Sequence, residues 1–255
     1  MPAPSKSTNP AFSLKATSYD RHAHVQADAA QWLAEWLPEQ ATDGRCLELG
    51  AGTGLFSQHL VERFAHVECS DLSPQMLQVC KERVPDAVCR VRDAWTPPKS
   101  RENWDYLASS SLLQWAPCPH TTMQQWSKLI REQGRLFLGF FASPSLPEMM
   151  KVLGEDDGPV VWRSPEQWGG VFMQAGYTPL RMEAETRYYS YESALHFWKS
   201  LHGTGATVSR QIKPSVMLRF FRDYESMFRD DDGVFATWTF CRVELEAPTA
   251  HKSLR

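Results

Sequence analysis

Residues 45–60 read RCLELGAGTGLFSQHL, and the run ELGAGTG within them, Glu48 to Gly54, decides the fold. Gly50, Gly52 and Gly54 alternate directly after a short apolar stretch. Without a Cβ, glycine takes left-handed backbone angles freely and lets a ligand come close to the main chain. The next residues, LFSQHLVERF, predict a helix whose first turn presents unpaired N–H groups and the positive end of its dipole. A strand, a glycine turn and a helix in an open α/β sheet place a small, nucleotide-like ligand outside the strand's carboxyl end. The dinucleotide fingerprint GxGxxG needs its third glycine at 55 or 57, where Leu55 and Ser57 stand. That spacing disfavours a nicotinamide oxidoreductase.

On both sides of this turn the chain alternates. Ala23 to Leu37 places Val25, Ala29, Trp32, Trp36 and Leu37 on one helical side, with Pro38 as a stop. RCLEL, HVECSD, AVCRVRD, WDYLASSS and RLFLGFFAS read as strands, and helices are predicted between them. Ser73 with Pro74 suits a helix start, as do the Ser and Pro of SPEQWGGVFMQAG, which ends at Gly176. The helix TTMQQWSKLIRE is expected to run to Gly134. YTPLRMEAET and ATWTFCRVELEA complete a set of seven strands. Strands alternating with helices imply an α/β class with a mostly parallel sheet covered on both faces. The expected division is a loose tail over 1–15, a core over 16–189 and 233–248, and a helical insertion over 190–232.

A chain of 255 residues, 42 % hydrophobic and 22 % charged, can bury a real core. Its net charge of −3 argues against general nucleic-acid binding. Six cysteines without a CxxC pair fit a reduced, cytoplasmic setting. No apolar run is long enough to span a membrane, and the polar start of the chain lacks a secretory signal. His22 and His24 form an HxH pair without further ligands, so no metal is expected. The Asp230–Asp231–Asp232 run lacks the calcium-loop pattern and reads as a solvated turn.

The ExGxGxG pattern resembles the first motif of S-adenosylmethionine-dependent methyltransferases of the Rossmann-like class. That resemblance implies a seven-stranded sheet with its last strand antiparallel, and a cofactor site containing Glu48, Gly50, Ala51, Gly52 and Gly54. It further implies Asp71 at the end of the second strand as the acceptor for two ribose hydroxyls. Leu72 and Met76 would sandwich the adenine, Asp93 would meet its amino group, Ala94 and Trp95 would flank the ring, and Ser109 would lie under the methionine moiety. The product would be S-adenosylhomocysteine. A narrower resemblance rests on ATSYDRHAHVQADAAQWL, DLSPQML, SSSLLQW and LHGTGA. It is to the malonyl-acyl-carrier-protein O-methyltransferases, which start the pimeloyl branch of biotin synthesis. Ser18, Tyr19, Asp20, Ala23 and Gln26 match that family's SYDxxAxxQ segment, while Ser110 and Ser111 stand where asparagine and an apolar residue are usual.

The resemblance implies methylation of the free carboxylate of a malonyl thioester, on an acyl-carrier protein or coenzyme A. Such a carboxylate is ionised at neutral pH and needs no general base, only alignment. Tyr19, His22, Gln114 and Trp115 are the candidates for holding it. From Ser190 to Arg222 five cations, Lys199, Arg210, Lys213, Arg219 and Arg222, face one acid, Glu192, a net +4. These residues, interleaved with Phe197, Trp198, Met217, Phe220 and Phe221, read either as amphipathic helices with a solvated basic face or as a lid that docks an acidic carrier protein. A monomer is expected. The rival readings are a methyltransferase for a free small acid or phenol, and a protein that binds the donor without turnover.

Overall fold

The computed structural model describes residues 13–96, 101–154, 160–205 and 214–249. Its sheet runs β3-β2-β1-β4-β5-β8-β6, from β1 (Thr42–Leu49), β2 (Phe64–Asp71), β3 (Val88–Val91), β4 (Trp104–Ser110), β5 (Ile130–Ala142), β6 (Thr178–Tyr191) and β8 (Gly233–Glu246). A two-residue strand, β7 (Arg229–Asp230), pairs with the start of β8. Strands β1 to β5 pair in parallel, and β8 runs antiparallel between β5 and β6. The expected α/β class, with its antiparallel last strand, is therefore what the chain adopts. Among the described residues no helix is long and apolar enough to cross a membrane.

Alternation along the strands builds a core on each face. Leu47 and Leu49 of β1, with Leu136, Leu138 and Phe140 of β5, point to the layer of α4 (Pro119–Trp126) and α6 (Pro165–Gln174). Cys46 and Phe137, their neighbours in sequence, point to the layer of α1 (His24–Ala34), α2 (Ser57–Val61) and α3 (Pro74–Arg83). Leu47, Leu107, Leu136 and Leu138 are wholly buried, each contributing about 1.5–3 kcal/mol of hydrophobic stabilisation. Helix α3 starts as expected: the Ser73 hydroxyl accepts the Met76 N–H at 3.2 Å, with Pro74 in the first position. Helix α6 opens on a capping box between Ser164 and Gln167.

A third cluster lies under α7 (Ala194–Gly203) and α8 (Pro214–Met227). Phe197, Leu201, Phe220 and Tyr224 pack there with Val25, Ala29 and Trp32 of α1 and with Phe141, Trp238 and Phe240 of the sheet. Helix α5 (Pro147–Leu153), which periodicity had not indicated, contributes Met149.

Four expectations are corrected. The helix predicted to reach Gly134 stops at Trp126, because Leu129 and Ile130 are fully buried and Ile130 pairs with Trp104 as the start of β5. Gly134 instead allows close packing, since a Cβ there would lie 2.5 Å from Ile130 Cγ1. The helix expected over 55–64 is shortened to Ser57–Val61, with Phe64 already in β2. The insertion is not helical from 190: Ser190 and Tyr191 still pair with Phe235 and Val234, and residues 229–234 close a hairpin. Residues 1–12 of the expected tail lie outside the described part, whereas 13–15 form a helical turn with Ser13 Oγ 2.8 Å from Ser73 Oγ.

Candidate active site

The chain leaves β1 for β2 and β3 on one side, then returns to place β4 on the other. This reversal opens a crevice at the carboxyl ends of β1 and β4, the usual ligand position in such sheets. The glycine turn sits in it with φ of 71° at Gly50, 55° at Gly52 and 87° at Gly54. The three glycines serve different ends. A Cβ on Gly50 would come within 2.7 Å of Leu112 Cδ2, and one on Gly54 within 3.1 Å of Cys80 Sγ. At Gly52 nothing lies within 4 Å, so this glycine faces open space.

That space is a cleft of about 140 Å³. Its floor is the turn, with Ala51 and Glu48. Asp71, at the end of β2, accepts the Gly52 N–H on Oδ2 at 3.0 Å and the Ser73 N–H on Oδ1 at 2.8 Å. Burial raises its pKa, and these backbone donors pull part of that shift back. Each oxygen keeps a lone pair for a hydroxyl donor. Leu72 is 40 % exposed and Met76 is buried, both lining the cleft. Asp93 also lines it, accepting the Trp95 N–H at 2.9 Å and the Thr96 hydroxyl at 2.6 Å. Trp95 lies parallel to Trp126, 6.3 Å between ring centroids, and Trp126 donates to the Ala94 carbonyl at 2.8 Å. A flat apolar wall with a carboxylate at each end fits a nucleoside.

Glu48 is buried and accepts the Ser57 hydroxyl. Desolvation raises its pKa to about 8, against the hydrogen bond from Ser57. Ser109 does not line the cleft; its hydroxyl donates to the Leu49 carbonyl at 2.9 Å and ties β4 to β1.

A second, smaller cavity adjoins the cleft, and Tyr19, Gln26, Ser111 and Trp115 line both. Gln114, Phe141, Trp162 and Trp238 line only the second, with Leu201 and Thr204 from the end of α7. Burial first, then the charges of Asp71 and Asp20, hold the Tyr19 phenol well above its ordinary pKa, so it stays protonated. The fourth candidate stands apart. His22 lines neither cavity but packs on Gly203, where a Cβ would lie 2.3 Å from its ring, and its carbonyl accepts the Ser200 hydroxyl at 3.2 Å. Lys199, Arg219 and Arg222 are exposed on α7 and α8. Arg210 and Lys213 lie outside the described residues.

Two groups of residues escaped the sequence reading of the site. Asp20 accepts the Thr53 hydroxyl at 2.6 Å and pairs with Arg83, which straps the N-terminal segment across the glycine turn. The SYD pattern was its signal. Trp162 and Trp238 reach the second cavity from distant segments that no local periodicity marks, beside Ser111, whose polar side chain the sequence had already set apart. Among the described residues, no cluster of three or more His, Cys, Asp or Glu could hold a metal.

The family described as "Methyltransferase domain" matches residues 19–208. The chain is 27 % identical to malonyl-[acyl-carrier protein] O-methyltransferase of Paenibacillus sp. (strain JDR-2), covering 89 % of this chain and 93 % of that one. It is 29 % identical to a biotin biosynthesis bifunctional protein of Bordetella avium, covering 96 % of this chain and 53 % of the relative. Among solved structures, geranyl diphosphate C-methyltransferase from Streptomyces coelicolor, in complex with S-adenosyl-L-homocysteine, aligns with a TM-score of 0.53 at 13 % identity, over 86 % of this chain and 78 % of that one. The [4+2]-cyclase SpnF aligns with a TM-score of 0.58 at 15 % identity, over 88 % and 82 %. These structural likenesses establish the fold; a cyclase among them shows that fold alone does not name a reaction.

Proposed function

Since this chain belongs to the methyltransferase-domain family, we propose that it methylates the free carboxylate of a malonyl thioester. The thioester is carried by an acyl-carrier protein or coenzyme A, and the methyl ester enters pimeloyl and biotin synthesis. The relatives' names support the acceptor class. S-Adenosylmethionine, when bound, supplies an electrophilic methyl on a cationic sulfur; a carboxylate oxygen takes it, the C–S electron pair stays with sulfur, and no proton changes hands.

The chain's residues fit that donor. Gly52 leaves the floor open, Asp71 would accept the ribose hydroxyls, Asp93 and Trp95 would meet the adenine, and Met76 with Leu72 would cover its faces; all line the cleft. The Tyr19, Gln26, Ser111 and Trp115 junction is where acceptor and donor would meet.

One observation carries the choice of acceptor. Among the described residues, no His, Asp, Glu, Lys or Arg lines the second cavity. A phenol or alcohol would need a base there to take its proton, whereas a carboxylate arrives without one. Orientation then supplies the rate enhancement.

Within the expected insertion, the helices α7 and α8 serve as the lid and docking element over the sheet core. Their aromatic side packs inward through Phe197 and Phe220, while Lys199, Arg219 and Arg222 face out, as an acidic carrier protein requires.

The test is transfer of labelled methyl from S-adenosylmethionine to malonyl-carrier protein, malonyl-coenzyme A, free malonate and a simple phenol. Methylation of the first two, with alkali-labile label, is expected. Label on the phenol or free malonate alone would overturn the reading, as would donor binding without transfer.

A further inference from the structure

We propose that Trp162, Ser111 and Gln26 form the receptacle for the acceptor's carboxylate, an anion site built wholly from neutral groups. The inference rests on the malonyl reading above and names the residues that enforce it. The second cavity measures about 30 Å³, room for about two waters and so for a carboxylate. Around it Gln26 Oε1, Ser111 Oγ, Gln114 Oε1, Trp162 Nε1 and Trp238 Nε1 are buried without a hydrogen-bond partner. Buried polar atoms are rarely left so, and several facing one small space point to a polar guest.

Their chemistry sorts the guest. The Trp162 indole can only donate, and the Ser111 hydroxyl can donate by rotation. The Gln26 amide presents N–H when turned about its terminal bond. Gln114 already spends its N–H on the Ser111 carbonyl at 2.8 Å, so it turns an acceptor oxygen inward, which an anion avoids. The carboxylate therefore sits on the Trp162, Ser111 and Gln26 side. Ser111 carries a second mark: its φ is 58°, the left-handed region, with its N–H held 2.8 Å from the Gly139 carbonyl. Glycine would adopt that angle without strain; serine accepts the strain of a Cβ there and gains a hydroxyl. Strain of this kind gathers where a side chain is needed. Neutral donors also orient the acid without the tight, paired geometry of an arginine fork, which would occupy the attacking lone pairs.

The experiment is calorimetry on the full chain saturated with S-adenosylhomocysteine, titrated with malonyl-coenzyme A or acetyl-coenzyme A. The two probes differ by the carboxylate. Wild type should bind the malonyl probe at least tenfold more tightly. Trp162→Phe, which keeps the ring and loses the N–H, should lose about tenfold for malonyl, the size of a hydrogen bond to a charged group. It should be unchanged for acetyl-coenzyme A and for S-adenosylhomocysteine. Ser111→Gly, which relieves the backbone, should fold and show the same malonyl loss. Unaltered malonyl affinity in both variants, or equal losses for the two thioesters, overturns the assignment. Wild-type methyl transfer to malonyl-coenzyme A separates the two failures. Transfer with a normal Michaelis constant in Trp162→Phe sinks the receptacle alone, and no transfer to any malonyl thioester sinks the reading beneath it.

Discussion

The Thr53 hydroxyl donates to the Asp20 carboxylate across 2.6 Å, joining the glycine turn to a segment 33 residues earlier. Arg83 of α3 grips the same carboxylate, so Asp20 gathers three elements at the mouth of the cleft. Tyr19, next to it, lines both cavities. Thr53→Val and Asp20→Ala should each weaken S-adenosylhomocysteine binding by about tenfold, the scale of a charge-assisted hydrogen bond. The double variant should lose little more than Asp20→Ala alone, because that change already removes the Thr53 contact. Calorimetry on all four proteins checks this, and additive losses would refute a shared contact.

Gly50 and Gly52 separate folding from binding. Both have positive φ, so alanine at either costs about 1–2 kcal/mol of backbone strain. Only Gly50→Ala also collides with Leu112, at 2.7 Å. Its midpoint of urea denaturation should therefore fall further than that of Gly52→Ala. Gly52→Ala should stay folded and yet lose donor binding at least tenfold, because its methyl stands in the open cleft. Equal stability losses with equal binding losses would count against the distinction.

This division of labour explains what could be read in advance. The glycines, Asp71 and Asp93 belong to a local strand–turn–helix grammar, and the cleft assembles from them. The helix predicted to Gly134 failed because Leu129 and Ile130 are apolar at a spacing either helix or strand can use, and long-range pairing with Trp104 chose the strand. The second cavity was illegible for a similar reason. Trp162, Trp238 and Leu201 come together only through packing of α7 on the sheet. His22 was chosen from a motif, but its ring is taken up by contact with Gly203.

Glu48 should make stability depend on pH. Its folded pKa of about 8 stands above the ordinary value near 4.3 for an unfolded chain. Between those values the folded protein holds a proton that the unfolded chain has released. Stability from this group is thus complete below about pH 4 and falls as pH rises towards 8, by at most about 1.4 kcal/mol per unit. Asp71, also raised by burial, acts in the same direction. Glu48→Gln should flatten the slope of unfolding free energy between pH 5 and 8. An unchanged slope would show that Glu48 is ionised in the folded protein.

Arg242 is a structural keystone away from both cavities. It is buried, its Cζ lies 4.1 Å from the Trp32 ring centroid, and it pairs with Glu35 and Glu183 at 2.8 Å each. Those acids are half-exposed and regain water when the arginine is removed, so Arg242→Ala should cost about 2–3 kcal/mol, below the 3–5 of a fully buried pair. Arg242→Lys should recover little, since an ammonium cannot stack and fork at once. Chemical denaturation measures both, and at low temperature the methyl-transfer rate should remain near wild type.

The basic face of α7 and α8 makes the last prediction. Lys199, Arg219 and Arg222 are exposed, although Asp223 sits 2.8 Å from Arg222 and offsets part of its charge. Exposed charges of this kind contribute little to folding, so Arg219→Glu with Arg222→Glu should leave the denaturation midpoint nearly unchanged. Their effect should fall on encounter with an acidic carrier protein, where like charges repel and steering is lost. The Michaelis constant for malonyl-carrier protein should rise about tenfold or more, that for S-adenosylmethionine should hold, and that for malonyl-coenzyme A should change less. Salt should weaken carrier-protein use by wild type and have a smaller effect on the variant, because screening acts only on charges that contribute to the encounter. Equal changes for all three substrates would place carrier docking elsewhere on the molecule.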